Sequence, residues 1–194
     1  MSDLQRESTA KGDSIDSEAL VRNNIGWMLA LAERLLRDRG LAEDVVQESF
    51  LSAFDGLDKF EGRSSIESWL HRITVNAALS KLRKLKRLAE QSIDEFLPEF
   101  DRFDCRIELP WSHLATVEEV MESEELRQHV YDKIGELPDT YRVILQLRDI
   151  EEYATSEVAE LLDITESNVK VRLHRARAAL KKLLEPILRS ELAP

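Results

Sequence analysis

Side chains that can hydrogen-bond nucleic acid are concentrated in the last third of the chain. Ser167, Asn168, Lys170 and Arg172 follow a threonine, a residue type that caps helix starts. Such side chains bond base edges, and lysine and arginine also neutralise phosphates. A short helix, a turn over 163–165 and a long helix together have the lengths of a DNA-binding helix-turn-helix. On these residues alone, a packed antiparallel helix pair with a solvated basic face remains the alternative.

A second basic block lies at the end of the predicted third helix. Between positions 71 and 89 the chain carries six lysines and arginines and no acid, and Arg72 and Asn76 lie near its start. Basic residues along a helix can neutralise phosphates and release counterions. A charge run is usually only a solvated face, and Trp69 at core spacing is more often packing than base stacking. Two basic helices from separate domains could nevertheless hold two sites on one duplex.

A third polar group lies on the predicted second helix. Asp44, Gln47 and Glu48 share a face at three- and four-residue spacing, and Leu51 follows one turn later. The polar face is suited to a basic helix of a partner protein. Simple solubility is the alternative.

The chain offers little for catalysis. Its four histidines are scattered with no metal-ligand spacing, and no glycine-rich phosphate loop or nucleophile motif occurs. Cys105 is the only cysteine, which excludes an internal disulfide and a multi-cysteine zinc site and leaves an idle thiol or a redox role. We therefore expect a protein that is not an enzyme and that uses no metal or cofactor.

Apolar residues recur with the helical period in seven segments. The predicted helices are 17–39, 41–57, 64–88, 123–134, 138–147, 156–162 and 166–184. Gly40 is expected to separate the first two, Ser64 and Glu67 to form a capping box, and Pro138 to open a helix. Pro186 is expected to end or kink the last helix.

The expected core follows from the same periodicity. Its residues in the first half are Val21, Ile25, Met28, Ala32, Leu35, Val46, Phe50, Phe54, Leu57, Ile66, Trp69, Leu70, Ile73 and Ala77. In the last third, Val169 and Leu173 can face the core, and Ala159 is small where two helices must cross. Asp163 stands where glycine is often seen in such turns. Aspartate is tolerated there because it enters the left-handed region more readily than most residues.

The formal net charge of -11 is distributed unevenly. Positions 90–126 contain twelve acids against two arginines, whereas positions 168–189 carry seven lysines and arginines against one glutamate. Two basic blocks therefore flank one acidic block. This distribution is compatible with nucleic-acid binding despite the acidic total.

The domain organisation predicted from these patterns is all-α. With 6 glycines and 5 prolines in 194 residues, an all-β fold is disfavoured. The expected boundaries are a three-helix domain at 17–89, an acidic linker at 90–121 and a helix-turn-helix domain at 122–190. The longest apolar run, 25–32, is far shorter than the roughly 20 residues that span a bilayer, so no membrane insertion and a cytoplasmic location are expected.

Several segments in family order resemble bacterial sigma factors of the extracytoplasmic-function group of the sigma-70 superfamily. Segment 42–50 (AEDVVQESF) resembles the family segment that grips the clamp helices of the largest polymerase subunit. Segment 60–73 (FEGRSSIESWLHRI), continued by 72–79, resembles the segment that melts and reads the minus-ten element. Segments 137–142 (LPDTYR) and 171–177 (VRLHRAR) resemble the domain that reads the minus-thirty-five element.

The resemblance implies a sigma factor that binds core RNA polymerase and directs promoter-specific, DNA-templated transcription initiation. The implied partners are the clamp helices, the flap of the second subunit, promoter DNA and an anti-sigma factor that controls a stress response. The expected DNA-binding residues are Arg63, Ser64, Arg72, Asn76, Lys81, Lys84, Ser167, Asn168, Lys170, Arg172, Arg175 and Arg177. The expected polymerase-binding residues are Asp44, Gln47, Glu48 and Leu51.

The chain also departs from the family pattern. It lacks the aspartate often found near Leu79 and Ser80, and residues 151–154 (EEYA) replace the commoner small or glycine-containing turn. The main alternative function is a helix-turn-helix regulator with an unrelated sensor domain, which would bind palindromic DNA as a dimer. It leaves the motifs of the first half unexplained. An interaction module without a DNA role is a further alternative.

Overall fold

The computed structural model describes residues 17–60, 62, 64–85, 87–88, 92–97 and 124–191, with the backbone alone at 124–126 and 188–191. Arg63, Cys105 and most of the expected linker 90–121 lie outside the described residues. Every regular element in the described part of the chain is helical, in agreement with the all-α prediction. No helix in these ranges combines the length and apolar character needed to cross a membrane.

The first helical unit consists of three helices that all pack against one another. They are α1 (Ser17–Leu36), α2 (Arg39–Gly56) and α3 (Ile66–Lys84), with a 3-10 turn, Leu57–Lys59, after α2. Buried apolar side chains from one face of each helix form the core between them. They include Met28, Leu31, Ala32, Leu35, Val45, Val46, Phe50, Leu70, Val75, Leu79 and Leu82.

The break between α1 and α2 lies before Gly40. Arg37 has a left-handed φ of 52°. The Asp38 carboxylate then accepts a hydrogen bond from the Leu41 N–H at 2.9 Å. An aspartate at this position satisfies an amide that has no partner within the helix. Gly40 therefore belongs to the first turn of α2, and the expectation that it separates the helices is wrong.

The start of α3 also differs from the prediction by one residue. Ser65, and not Ser64, caps the helix: its hydroxyl accepts a hydrogen bond from the Ser68 N–H at 3.1 Å. The Ser65 backbone is extended, with φ -65° and ψ 155°, which is the usual geometry of the residue before a helix. Glu67 lies in the first turn, where a carboxylate interacts favourably with the helix dipole.

The interior face of α1 includes a polar residue in place of an expected apolar one. Ile25 is 45% exposed, so its assignment to the core is wrong. Asn24 is buried instead, because its amide finds two partners there. It donates to the Leu20 carbonyl at 2.7 Å and accepts from the Trp27 indole N–H at 2.9 Å.

On α3 the most deeply buried face is rotated relative to the predicted one. Leu70, Val75 and Leu79 are fully buried. Trp69 and Ile73, which were expected in the core, are only half-buried. Trp69 packs against Phe60 of its own unit, with ring centroids 5.0 Å apart, whereas His71 and Arg72 face the second half of the molecule.

The second helical unit contains four helices. They are α4 (Glu124–Glu136), α5 (Asp139–Leu145), α6 (Thr155–Leu162) and α7 (Glu166–Glu191). The backbone after α5 continues in π-helical geometry over Gln146–Ile150. α7 continues past Pro186, so this proline does not end the helix. Proline removes one N–H donor, and the turns on both sides keep their helical backbone.

The turn between α6 and α7 has the geometry of a helix-turn-helix. Asp163 ends α6 in the left-handed region at φ 55°. The Thr165 hydroxyl accepts a hydrogen bond from the Asn168 N–H at 3.2 Å and caps α7. Val158 and Val169 are fully buried where the helices meet, and Ala159 is buried beside them. These features confirm the helix-turn-helix predicted from the sequence.

The two helical units lie directly against each other, which the prediction of separate domains on a linker did not anticipate. α3 contacts α6, and a 3-10 turn, Asp94–Phe96, lies against α7. Ile93, just before this turn, is buried. The Lys182 ammonium of α7 donates to the carbonyls of Glu95 at 3.1 Å and Leu97 at 2.8 Å. The beginning of the acidic segment is therefore fixed to the last helix.

Candidate nucleic-acid and polymerase interfaces

The start of α7 presents its polar and basic side chains to solvent. Ser167 and Lys170 are exposed, as is Arg175 two turns further along. Asn168 and Arg172 are half-buried. Because the cap at Thr165 fixes the first turn, these side chains project from a rigid helix. The arrangement can place hydrogen-bond donors in the major groove of a duplex.

Arg177, which was also expected to contact DNA, is held by an acid of its own unit. Its guanidinium donates to both oxygens of Asp149, at 2.8 Å and 2.6 Å. The hydrogen bond that Arg177 donates to Asp149 raises the pKa of Arg177 above its ordinary value. This bidentate pair links α7 to the π-helical stretch.

The expected DNA-binding residues on α3 point in two directions. Arg72 lies on the side that faces the second unit, where its guanidinium donates to Glu157 at 2.9 Å. Asn76 lies one turn further along and lines the same cleft. Lys81 instead donates to Asp44 of α2 at 3.3 Å, and Lys84 is exposed at the end of the helix. Ser64 is exposed before α3.

The expected polymerase-binding residues form one exposed face of α2. Gln47 and Glu48 are exposed, and Leu51 is 58% exposed although it is apolar. Asp44 has its side chain 62% exposed even with Lys81 beside it. A single exposed leucine is common on protein surfaces, and here it lies beside two acids and an amide. The face therefore has both apolar and acidic contacts to offer.

The contact between the units is built around His71, a residue that the sequence did not single out as a site. Its Nε2 lies 2.8 Å from a carboxylate oxygen of Glu151, and its Nδ1 lies 3.1 Å from the Tyr153 hydroxyl. Trp27 of α1 stacks on the imidazole, with ring centroids 5.9 Å apart. Glu151 also accepts from Arg34 of α1 at 3.1 Å. Residues of α1 and α3 thus converge on the turn before α6.

Burial and hydrogen bonding act in opposite directions on Glu151. Burial alone would raise its pKa, but hydrogen bonds from His71 and Gln146 and the charge of Arg34 outweigh it. The pKa of Glu151 is therefore lowered, and the carboxylate is ionised near neutral pH. Burial raises the pKa of the Tyr153 hydroxyl to about 12, so Tyr153 stays protonated.

A second contact between the units surrounds Asp139 at the start of α5. The Arg87 guanidinium donates to Asp139 at 3.0 Å and to the Leu36 carbonyl at 2.9 Å. Arg142 pairs with the same aspartate and donates to the Leu35 carbonyl at 3.0 Å. Burial would raise the pKa of Asp139, but Arg87 and Arg142 lower it. Two arginines therefore join α5 to the end of α1.

Both contacts connect residues that are distant in sequence. His71 and Glu151 are 80 positions apart, and Arg87 and Asp139 are 52 apart. Single polar side chains leave no periodic pattern, so sequence periodicity could not pair them. The one available signal was the unusual turn 151–154, where acids and a tyrosine replace smaller residues.

Comparisons with known proteins agree with this architecture. The family model Sigma-70 region 2 matches residues 20–88, and Sigma-70 region 4 matches residues 127–180. The ECF RNA polymerase sigma-E factor of Salmonella typhimurium is 33% identical over 184 residues, which cover 94% of each chain. The ECF RNA polymerase sigma factor SigW of Bacillus subtilis is 34% identical over 161 residues, covering 81% of this chain and 82% of that protein.

A solved structure shares the fold. It is the co-crystal structure of the sigma factor RpoE in complex with the anti-sigma factor NepR from Bartonella quintana. The match has a TM-score of 0.54 and 24% identity, and it covers 87% of this chain and 96% of that chain.

The three-helix unit and the helix-turn-helix unit, each matched by a Sigma-70 family model, define a helical transcription initiation factor. With 33% identity across 94% of both chains, this chain belongs to the extracytoplasmic-function group of the sigma-70 family. It is an alternative RNA polymerase sigma factor, and the resemblance noted in the sequence is confirmed.

Proposed function

We propose that this sigma factor docks on core RNA polymerase through the exposed face of α2 and contacts promoter DNA through α3 and the start of α7. The observation that carries this division is the presence of two basic helices in one chain beside a separate acidic and apolar face. Lys170 and Arg172 project from α7. Leu51 and Glu48 project from α2. DNA and polymerase would therefore be bound by different surfaces.

In this proposal the residues 17–89 form the domain that binds the clamp helices and opens the minus-ten element. Ser64, Arg72 and Asn76 contact the separated strand, with Lys81 and Lys84 on phosphates. Unstacking a base costs on the order of a few kcal/mol, so the polymerase must share that cost. Residues 122–190 form the domain that reads the minus-thirty-five element and binds the flap, and residues 90–121 connect the two.

The remaining expectations follow from the same role. The chain acts in the cytoplasm as a binding factor without catalysis of its own. The Bartonella quintana relative is seen bound to an anti-sigma factor. We propose that this chain too has an anti-sigma partner, for which the exposed face of α2 is a suitable surface.

Run-off transcription with purified bacterial core polymerase tests the proposal. Reactions with and without this protein use genomic fragments that include the DNA upstream of its own gene. Transcripts that require the protein establish the function and reveal a promoter. A protein that neither binds core polymerase nor yields a transcript, but binds palindromic DNA as a dimer, would instead be a conventional regulator.

A further inference from the structure

We propose that a cleft between the end of α1 and the start of α5 binds a small phosphorylated anion. Arg37, Arg87 and Arg142 line this cleft, which we call the arginine cleft. It has a volume of about 560 Å³, within the ~300–1,000 Å³ common for small-molecule sites. The group that it recognises is a diphosphate, either free or carried by a nucleotide.

The arginine cleft carries an excess of positive charge. Asp139 is the only carboxylate among the described residues that line it, and it faces three guanidinium groups. Burial lowers the pKa of Arg142, and the charges of Arg87 and Arg37 lower it further, although Asp139 acts against them. Arginine keeps its proton in proteins, so two of the three positive charges have no carboxylate within the cleft to balance them.

Arg37 is the side chain best placed to receive a ligand. Its backbone N–H donates to the Glu33 carbonyl at 2.8 Å, but its guanidinium has no hydrogen-bond or ion-pair partner in the described part of the chain. The guanidinium fills the space above Gly135 of α4, because a Cβ added there would come within 1.1 Å of the Arg37 Nη1 atom. A glycine at position 135 therefore makes room for an unpaired guanidinium at the edge of the cleft.

Arg87 and Arg142 form the fixed side of the arginine cleft. Both pair with Asp139, and each also donates to a carbonyl at the end of α1, Leu36 for Arg87 and Leu35 for Arg142. These bonds use only part of the donor set of a guanidinium. Arg87 is 31% exposed and has N–H groups left for a ligand oxygen, whereas Arg142 is 3% exposed and supplies charge from beneath.

The chemistry of the arginine cleft favours a phosphate over a single carboxylate. A phosphate group carries about 1.5 to 2 negative charges at neutral pH, which matches the unbalanced charge of the cleft. Guanidinium groups bind phosphate oxygens through two parallel hydrogen bonds, and Arg37 and Arg87 can approach one diphosphate from two sides.

A neighbouring cavity is less suited to an anion. It shares Arg37, Gly135 and Arg142 with the arginine cleft. Three acids also line it and offset the charge of its arginines: Glu33, Asp38 and Asp132. The anion is therefore expected on the side of Arg37 that faces Arg87.

Calorimetric titration of the full-length chain with inorganic pyrophosphate at constant ionic strength tests the site. The first variant, Arg37→Gln, removes a charge that no described contact uses, so the fold is retained. The matched control is Arg39→Gln, at an exposed arginine two positions later that pairs with Glu43 at 3.0 Å and lies outside the arginine cleft. Pyrophosphate bound by the basic helices affects both variants equally.

A second variant, Gly135→Ala, separates a built site from general charge attraction. It keeps every charge of the chain, and alanine favours a helix such as α4 more than glycine does. The added methyl group takes the place of the Arg37 guanidinium, which must move away. Urea denaturation checks that the variant is as stable as the unaltered chain.

We expect the unaltered chain and Arg39→Gln to bind pyrophosphate equally well. Arg37→Gln and Gly135→Ala should bind it about tenfold more weakly, since a hydrogen bond to a charged group is lost. Titration with ADP distinguishes the two sources of the ligand: equal affinities assign the site to the diphosphate alone, and tighter binding of ADP assigns it to a nucleotide.

Three results would overturn the proposal. They are the absence of pyrophosphate binding, equal affinities in Arg37→Gln and Arg39→Gln, and a loss of affinity in Arg37→Gln that Gly135→Ala does not share. Neither polymerase nor DNA enters these measurements, so their failure is distinct from a failure of the proposed function.

Discussion

Arg72 and Glu157 join the predicted promoter-binding helix to the helix-turn-helix by a 2.9 Å ion pair. Glu157 has a second task, because its other oxygen accepts the Ala154 N–H at 2.9 Å and so closes the first turn of α6. One carboxylate thus stabilises a local helix start and a contact between units 85 positions apart.

Replacing Glu157 by Gln should lower the free energy of unfolding by about 1 kcal/mol, because it weakens a largely exposed ion pair and a helix-start acceptor. Urea denaturation measures the change. Glu160→Gln, at an exposed position one turn later, is the control and should change stability by only a few tenths of a kcal/mol. Equal losses in the two variants would contradict the role assigned to Glu157.

The stabilisation by Glu151 should depend on pH. The folded structure lowers the pKa of Glu151 below the ordinary value of 4.5, so the carboxylate stabilises the fold above that pH. This contribution is lost as pH falls through the lowered pKa. The unaltered chain should therefore exceed Glu151→Gln in unfolding free energy by the largest amount at neutral pH. This difference should decrease below about pH 4.

Denaturation at several pH values measures this difference. Asp139 also has a lowered pKa, but it titrates in both proteins and cancels in the comparison. A difference that grew with acidity would contradict the hydrogen bonds assigned to Glu151.

Removing Asp139 should leave the charge of Arg142 buried without its carboxylate. The Arg142 side chain is only 3% exposed, and arginine does not lose its proton in proteins. We expect Asp139→Leu to cost about 3 kcal/mol or more in urea denaturation. The double variant Asp139→Leu with Arg142→Met should cost less, because the fully buried guanidinium is removed and only the half-buried Arg87 is left without the carboxylate. A double variant at least as unstable as the single one would show that the charge is not the cause.

Charge-reversal variants should distinguish the proposed DNA-binding surface from the proposed polymerase-binding surface. Lys170→Glu or Arg172→Glu should weaken upstream promoter recognition by about 10- to 100-fold, at 1–3 kcal/mol per base contact, without affecting polymerase binding. Asp44→Lys or Glu48→Lys should weaken binding to core polymerase.

Promoter-binding and polymerase-binding assays on the same proteins measure both effects. Arg22→Glu, an exposed reversal on α1, serves as the control. If the α7 and α2 variants lost polymerase binding alike, the assignment of DNA and polymerase to different helices would be wrong.

The local architecture was largely predictable from the sequence. Seven helices, the cap at Thr165 and the left-handed Asp163 follow from periodicity and from residue preferences that act within a few positions. The helix boundaries differ from the predicted ones where neighbouring residues could each cap the helix, as Ser64 and Ser65 could at the start of α3. Ile25 was misplaced because Asn24 satisfies its amide inside the helix bundle, which periodicity does not reveal.

The contact between the units was not predictable in the same way. It depends on single side chains such as His71 and Glu151, whose pairing requires the helices to be already in place. The resemblance to the sigma family predicted both helical units and their order. It did not predict that they would lie together, because a matching segment identifies its own unit and not the side chains that the unit contacts. Glu151 and Tyr153 lie where this chain departs from the family pattern, whereas His71 and Asp139 lie in segments that resemble it.

The hydrogen bonds from Lys182 to Glu95 and Leu97 set the reach of the connection between the units. An extended chain spans at most about 3.3–3.6 Å per residue, so each residue held against α7 shortens the available contour length. Release of positions 92–97 from α7 would add about 20 Å to the contour length of the connection between the units. A longer connection lowers the effective concentration of one unit around the other. Lys182 is therefore placed to tune how far apart the two helical units can move.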